Sequence, residues 1–579
     1  MRASVTLTLV IFNGIVNGIV ASFMEHTAVE AIFPEWKIWE QYTTDTLGAA
    51  QRLDSLRSSH PIQVPIVRAE EVEQVFDAIS YCKGSSVVRM VEGVLGKDKF
   101  KEGLRLYMQR HAYGNTKTSD LWAAWTDVSS TDVVELMASW TQQMGYPYLK
   151  VVDEKWSDSE VTLTLEQNWF LSDGSTTAED AGKLWRIPLL FATSQSTSSE
   201  AVIMKEKVQT FTVPLAGSGD YIKINAGQQA LVRVAHSAEM ANRLQSALRA
   251  KDLSPVDRAG LLLDAYALAK AGYGSLEVVV QLLKALKNED HPTVWNAISG
   301  VISGLHLLLE AAAVTEESSK ALVEYTEFCG LMVKRALSIV GWDAQEGESH
   351  STKLLRSTVV ALLDIFCSGD DEIMAEARRR YKEHWTDATH TVLPSEYKST
   401  VYKMILKKGG VDEYEELLKS FYATNDNSEK KFVLLSLGAI HDPALKIRTL
   451  DWCVKSGEVK LQDFFYCIGS VATSAEGTRI TWEYFKSNFS YLKEKLSKAS
   501  ASLMDVTIGS SVSRFCTLEQ ADEVEGFFKS NPLKTSERRI SQLLETMRSN
   551  GSMLKRLQES PLVRASFWTL GDNEAFNPV

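Results

Sequence analysis

The chain has 579 residues, of which 45% are hydrophobic, 23% are charged and 13 are prolines, and its formal net charge is -12 at neutral pH. That length exceeds what one core supports and suits about four domains, and the composition excludes wholesale disorder. The acidic balance excludes nucleic acid as a main partner, because binding phosphates takes a basic surface.

Residues 1–20 form an apolar segment. Val5, Leu7, Leu9, Val10, Ile11, Phe12, Ile15, Val16, Ile19 and Val20 come after a single positive charge at Arg2. Three readings stay open: a signal peptide with Ala21-Ser22 near its cleavage site, an imperfect run into a buried helix, and foreign sequence joined to the chain at Ala21. The segment is short for a membrane span and is interrupted by Asn13, Gly14, Asn17 and Gly18, so no stable membrane insertion is expected.

From residue 21 to 146 the period is helical. Residues 21–33 carry helical spacing that Pro34 must stop. Val87, Val88, Val91, Val94 and Leu95 predict a second apolar face ending near Gly96, and Phe100, Leu104, Tyr107 and Met108 a third. Leu121–Trp125 and Val133–Trp140 continue the pattern until Met144-Gly145-Tyr146-Pro147 breaks it.

Between residues 147 and 235 the period falls to two. Tyr148–Val152, Val161–Gln167, Trp185–Phe191, Lys207–Val213, Tyr221–Asn225 and Ala230–Val234 read as short strands of a small β-sandwich. From residue 236 to 579 the helical period returns, as in Ala259–Ala269 and Thr358–Phe366, and predicts an α-solenoid of stacked helix pairs. The fold class expected is therefore mostly α with a small β-sandwich.

The six cysteines, Cys82, Cys329, Cys367, Cys453, Cys467 and Cys516, contain no C-x-x-C pair. They predict reduced, mostly buried thiols and a cytoplasmic protein, with secretion as the alternative if residues 1–20 act as a signal. The sequons at Asn488 and Asn550 are too short a motif to alter that expectation. None of the ten histidines is followed by glutamate, so the sequence has no H-E-x-x-H helix.

One stretch carries chemistry beyond this patterning. Phe76-Asp77-Ala78-Ile79-Ser80-Tyr81-Cys82-Lys83-Gly84-Ser85-Ser86-Val87-Val88-Arg89-Met90 resembles the segment of M1-family zinc aminopeptidases, of the puromycin-sensitive or alanyl kind, that holds the catalytic tyrosine. Further stretches resemble the same family in the same order. They are Ala21–His26, Trp140–Pro147, Asn225–Val234, Asp257–Ala265, and Arg514–Thr517 with Glu519–Phe528.

The resemblance implies the helical part of a thermolysin-like catalytic domain over 21–146, a β-sandwich over 147–235, and a HEAT-like solenoid of the ERAP1-like C-terminal kind over 236–579. It also implies peptides as substrates, shortened from their N-termini by zinc-activated water. Tyr81 then takes the position of the hydroxyl that donates to the oxyanion. Gly18 stands where the third zinc ligand belongs, and glycine offers no ligand atom.

Glu25, two helical turns beyond Gly18, matches a glutamate that supports the metal in the family, although a solvated carboxylate explains it as well. Arg258 and Arg514 are candidate contacts for a peptide's carboxyl end. The acidic run Glu70-Glu71-Val72-Glu73 is either an attraction for a peptide amine or a solvated loop. Cys82 reads as a small buried thiol, not a nucleophile.

Lacking H-E-x-x-H and the third ligand, the chain as written is expected to bind no zinc and to show negligible hydrolysis. The alternative expectation is a non-catalytic helical scaffold that binds a peptide or a protein.

Overall fold

The structure is a computed structural model that describes residues 20–64, 77–198, 200–387, 392–497 and 499–568. The apolar segment 1–19, Gly18 included, and the acidic run 70–73 lie outside the described residues. The chain divides into two compact units between Val301 and Ile302.

The first unit opens with helices. Helix α1 (residues 20–32) buries Phe23 and ends just before Pro34, as the sequence predicts. Helix α2 (Ile38–Tyr42) passes through a π-helical turn, Thr43–Leu47, into α3 (Gly48–Asp54). A second π-helical turn, Ile79–Lys83, leads into α4 (Gly84–Leu95), which stops at Gly96 with φ at 75°. Helices α5 (Lys97–Arg110), α6 (Thr118–Asp127) and α7 (Val133–Thr141) come next.

Strands then take over at Pro147. The main sheet holds β1 (Pro147–Trp156), β2 (Glu160–Trp169), β6 (Val208–Pro214) and β8 (Arg233–Ala235), in the order β6-β2-β1-β8. β2 is antiparallel to both neighbours and β1 is parallel to β8, so the sheet is mixed. Two small ladders join β3 (Ile187–Leu189) to β5 (Val202–Met204), and β4 (Phe191–Ala192) to β7 (Lys223–Ile224).

Alternation along β2 sends Val161, Leu163, Leu165 and Trp169 inward. Gln167 in the same row is buried too, and its amide is satisfied by Trp185 N–H and by the carbonyls of Trp185 and Glu206. These residues share one core with Phe23, Tyr42, Val87, Val91 and Trp125, so helices and sheet bury a common interior.

Helices α8 (Ala238–Ala250), α9 (Pro255–Ala271) and α10 (Leu276–Ala285) belong to this unit as well. The division falls inside α11 (Pro292–Ala312). Asp264 of α9 bonds Arg233 of β8 at 3.0 Å in the interior, tying α9 to the sheet. By length and composition α11 could cross a membrane, but Trp295, Ile298, Val301, Ile302 and Leu305 along it are buried in protein.

The second unit is helical throughout its described residues. Helices α12 (Glu316–Val340) and α13 (His350–Phe366) pack together, and a short helix, Ala565–Trp568, returns onto α12. Later helices include Asp371–Thr386, Pro443–Lys455, Ala475–Ser487 and Leu518–Ser530. Thr315, Ser349, Asp370, Asp442, Ser474 and Thr517 each accept a first-turn N–H, which satisfies donors a helix start leaves open.

Candidate functional site

Tyr81 sits in the π-helical turn before α4, where Lys83 N–H reaches the Ala78 carbonyl at 2.9 Å. The widened turn carries Tyr81 outward, 40% exposed, while Ile79, Ser80 and Lys83 of the same turn are buried. Such insertions are frequent at functional sites because they redirect a side chain without ending the helix.

Two polar clamps hold this turn. At its start Asp77 Oδ1 accepts from Ile79 N–H (2.8 Å) and Ser80 N–H (3.3 Å), and Oδ2 lies 2.9 Å from His60 Nε2. The other ring nitrogen of His60 lies 2.8 Å from the Pro61 carbonyl, which fixes the imidazole plane. At its end Lys83 Nζ meets Asp54 Oδ2 at 2.8 Å, with both side chains fully buried.

Asp54 Oδ1 also accepts from Gly145 N–H (2.9 Å) and Ser59 Oγ (2.7 Å), and Lys83 donates to the Gly145 carbonyl (3.1 Å). A buried ion pair carries a large desolvation cost, so these extra bonds are what let it persist. Segment 54–60 thus grips the tyrosine turn at both ends and joins it to the junction with β1.

A third tie fixes α4. Arg89 donates to the carbonyls of Gln228 (2.7 Å) and Gly227 (3.0 Å), and it lies over the rings of Trp39 and Tyr42. Tyr42 hydroxyl in turn contacts Ser85 and Ser86 Oγ at 2.9 and 3.1 Å, and burial pushes its pKa up. Cys82 beside Tyr81 is half-buried, and burial raises its thiol pKa despite the opposing pull of Arg52, so it stays protonated and is a poor nucleophile.

The other expected site residues fall elsewhere. The buried guanidinium of Arg258 forks onto Glu289 (2.8 and 2.9 Å) and donates to the Leu253 carbonyl (2.6 Å). Those bonds engage the group and pin α9 to the chain before α11. Arg514 belongs to the second unit, where it pairs with Glu310 and keeps 24% of its side chain exposed. Glu25 has a side chain 67% exposed and 3.8 Å from His26 Nδ1, as a solvated carboxylate would.

The described residues offer no grouped set of zinc ligands. His26, the histidine on α1, has Nδ1 at 2.7 Å from the Ser22 carbonyl and its ring packed against Trp39 and Tyr42. Among the described residues no three or more His, Cys, Asp or Glu side chains are grouped to hold a metal.

Lys83, Asp54, His60 and Asp77, which position Tyr81, are missing from the candidates drawn from the sequence. Lys83 left one trace there, a charge just ahead of the apolar face of Val87, Val88 and Val91.

Two family models match the chain: the Peptidase family M1 domain over residues 15–140 and the ERAP1-like C-terminal domain over residues 221–549. Among curated proteins the chain is 33% identical over 554 residues to "Aminopeptidase M1-B" of Oryza sativa subsp. japonica, covering 93% of this chain and 61% of that relative. It is 32% identical over 541 residues to "Alanine/arginine aminopeptidase" of Saccharomyces cerevisiae, covering 93% and 60%. "Aminopeptidase M1" of Arabidopsis thaliana is 32% identical over 555 residues, covering 93% and 61%. The chain therefore spans about 60% of the length of the curated relatives it matches.

Proposed function

This chain belongs to the M1 aminopeptidase family, and from that premise we propose that it binds peptides as an aminopeptidase does, with the tyrosine donor and the helical domain of that family but without hydrolysing them by itself. The observation that carries this reading is the presentation of Tyr81. Its side chain is exposed on a turn whose backbone is clamped by Asp77, His60, Asp54 and Lys83.

A phenol O–H held in place can donate to the oxygen of a peptide carbonyl as negative charge grows there, and a fixed donor needs no reorganisation at that moment. The same donor binds the neutral carbonyl only weakly, so its benefit falls on the transition state. In the family, bound zinc supplies the polarised carbonyl and the nucleophilic water. This chain has neither H-E-x-x-H nor, among the described residues, a grouped set of ligands, and our reading is that it binds peptides without turning them over by itself. A cytoplasmic location goes with this reading, since six cysteines without a disulfide suit a reducing compartment.

Amino-acid aminocoumarin substrates and zinc analysis by mass spectrometry test it together. The expected result is less than stoichiometric zinc and no release of fluorophore above buffer. Stoichiometric zinc with turnover that disappears in Tyr81→Phe would overturn the non-catalytic half of the reading and keep the tyrosine's role.

A further inference from the structure

Two of the cysteines stand opposite each other inside the second unit. Cys453 belongs to helix Pro443–Lys455 and Cys467 to helix Phe464–Val471, which packs on it, and both side chains are fully buried. Cys453 Sγ lies 3.8 Å from the Phe464 carbonyl, and Cys467 Sγ lies 3.8 Å from the Thr449 carbonyl.

These two contacts are reciprocal. A helical side chain leans toward the helix N-terminus and covers the turn ahead of its own Cα. Phe464 is in the turn ahead of Cys467, and Thr449 is in the turn ahead of Cys453. Each thiol therefore touches the spot that the other covers, and the two side chains come within hydrogen-bond reach of each other.

Cys329 and Cys367, on α12 and just after α13, do not face each other in this way. Cys367 Sγ lies 3.8 Å from the carbonyl of Gly330, which follows Cys329, and the Cys329 thiol is bonded with Tyr325 on its own helix. Proximity of two sulfurs across a helix pair is what a disulfide requires, and only the first pair has the mutual contacts that supply it.

We propose that Cys453 and Cys467 are a redox-sensitive thiol pair, which a hydroperoxide converts into a disulfide that staples their two helices together. The proposal stands independently of the peptide reading. One sulfur attacks the peroxide, the O–O bond breaks, and a sulfenic acid forms as water or an alcohol leaves. The second sulfur then attacks the first, the S–S bond forms, the S–O bond breaks, and water leaves with the remaining thiol hydrogen. The peroxide gains the two electrons that the pair loses.

Burial keeps the Cys453 thiol protonated, whereas attack needs a thiolate. The oxidant also has to enter through local openings of a packed helix pair. The pair therefore stays reduced through brief exposure and closes under sustained oxidant, and a dithiol reductant reopens it.

The full chain is treated with hydrogen peroxide, raised until the half-buried Cys82 is consumed. The remaining thiols are then alkylated with iodoacetamide in urea, and a tryptic digest is read by mass spectrometry without reduction. Cleavage at Lys455 and Lys460 separates the two cysteines, so a disulfide shows as Thr449–Lys455 joined to Leu461–Arg479.

We expect that joined peptide, and its disappearance after dithiothreitol. Closing the short loop between the cysteines should raise the melting temperature of the second unit by about 5 °C on oxidation. Comparing oxidised with reduced protein for each variant cancels any change in folding, and Cys453→Ala and Cys467→Ala should each lose the rise. Both thiols still open to alkylation once Cys82 is consumed, or separate sulfinic acids in place of the joined peptide, would overturn the pair. A joined peptide with an unchanged melting temperature would overturn the staple.

Discussion

Around Tyr81 the chain is held by polar contacts between residues far apart in sequence. From Ile302 onward, many helices are started by caps a few residues away and pack on their neighbours, with fewer of their ties, such as Arg514–Glu310, reaching far along the chain. The first arrangement fixes the backbone of one turn through a few polar contacts, and it is expected to fail as a whole when a single charge is removed. The second spreads its stability over many similar contacts, so damage stays near its origin.

Removing Lys83 tests that contrast most severely. Lys83→Met leaves Asp54 charged in a fully buried position, and a loss of about 4 kcal/mol is expected in the urea transition of the first unit. Asp54→Asn combined with Lys83→Met should recover part of it, since the uncompensated charge is then gone. Equal losses from the single and double variants would mean that the pair acts through packing and not through charge.

Acid titration should produce a smaller, graded change in the second unit. Hydrogen bonds from Arg356 hold Glu348 at about 2, below its ordinary value of 4.5. The folded state then binds fewer protons than the unfolded chain, so this stabilisation is complete above pH 4.5 and is lost as pH falls toward 2. In Glu348→Gln the urea midpoint should fall less steeply across that window. A slope identical to the parent's would remove Glu348 from the acid response.

The smallest effect belongs to a single cap. Thr517 accepts from Gln520 N–H while the Gln520 amide oxygen accepts from Thr517 N–H, a reciprocal pair at the start of Leu518–Ser530. Thr517→Ala should cost about 1 kcal/mol in the second-unit transition and leave the first unit unchanged. A loss comparable to that of Lys83→Met would show that the helical unit is as brittle as the tyrosine site.

Legibility in the sequence divides along the same line. The stop at Pro34, the helix end at Gly96, the inward row of β2 and the caps of the second unit depend on residues within a few positions of each other. Strand β5 is not legible because a three-residue strand is too short to establish a period. The partner of Arg258 is not legible because Glu289 lies 31 residues away, across helices α9 and α10. Without that partner the arginine resembles a ligand contact.

By itself the sequence determined the lineage and a mostly helical fold with a short stretch of strands, and it singled out Tyr81 as a candidate, because motifs and periodicities are local properties of a chain. Only the tertiary structure decided which charges are consumed and which remain available. Lys83 and Arg258 are tied up inside the protein. A charge's role depends on its distance to other charges and to water, and folding sets both by bringing together residues that the sequence keeps apart.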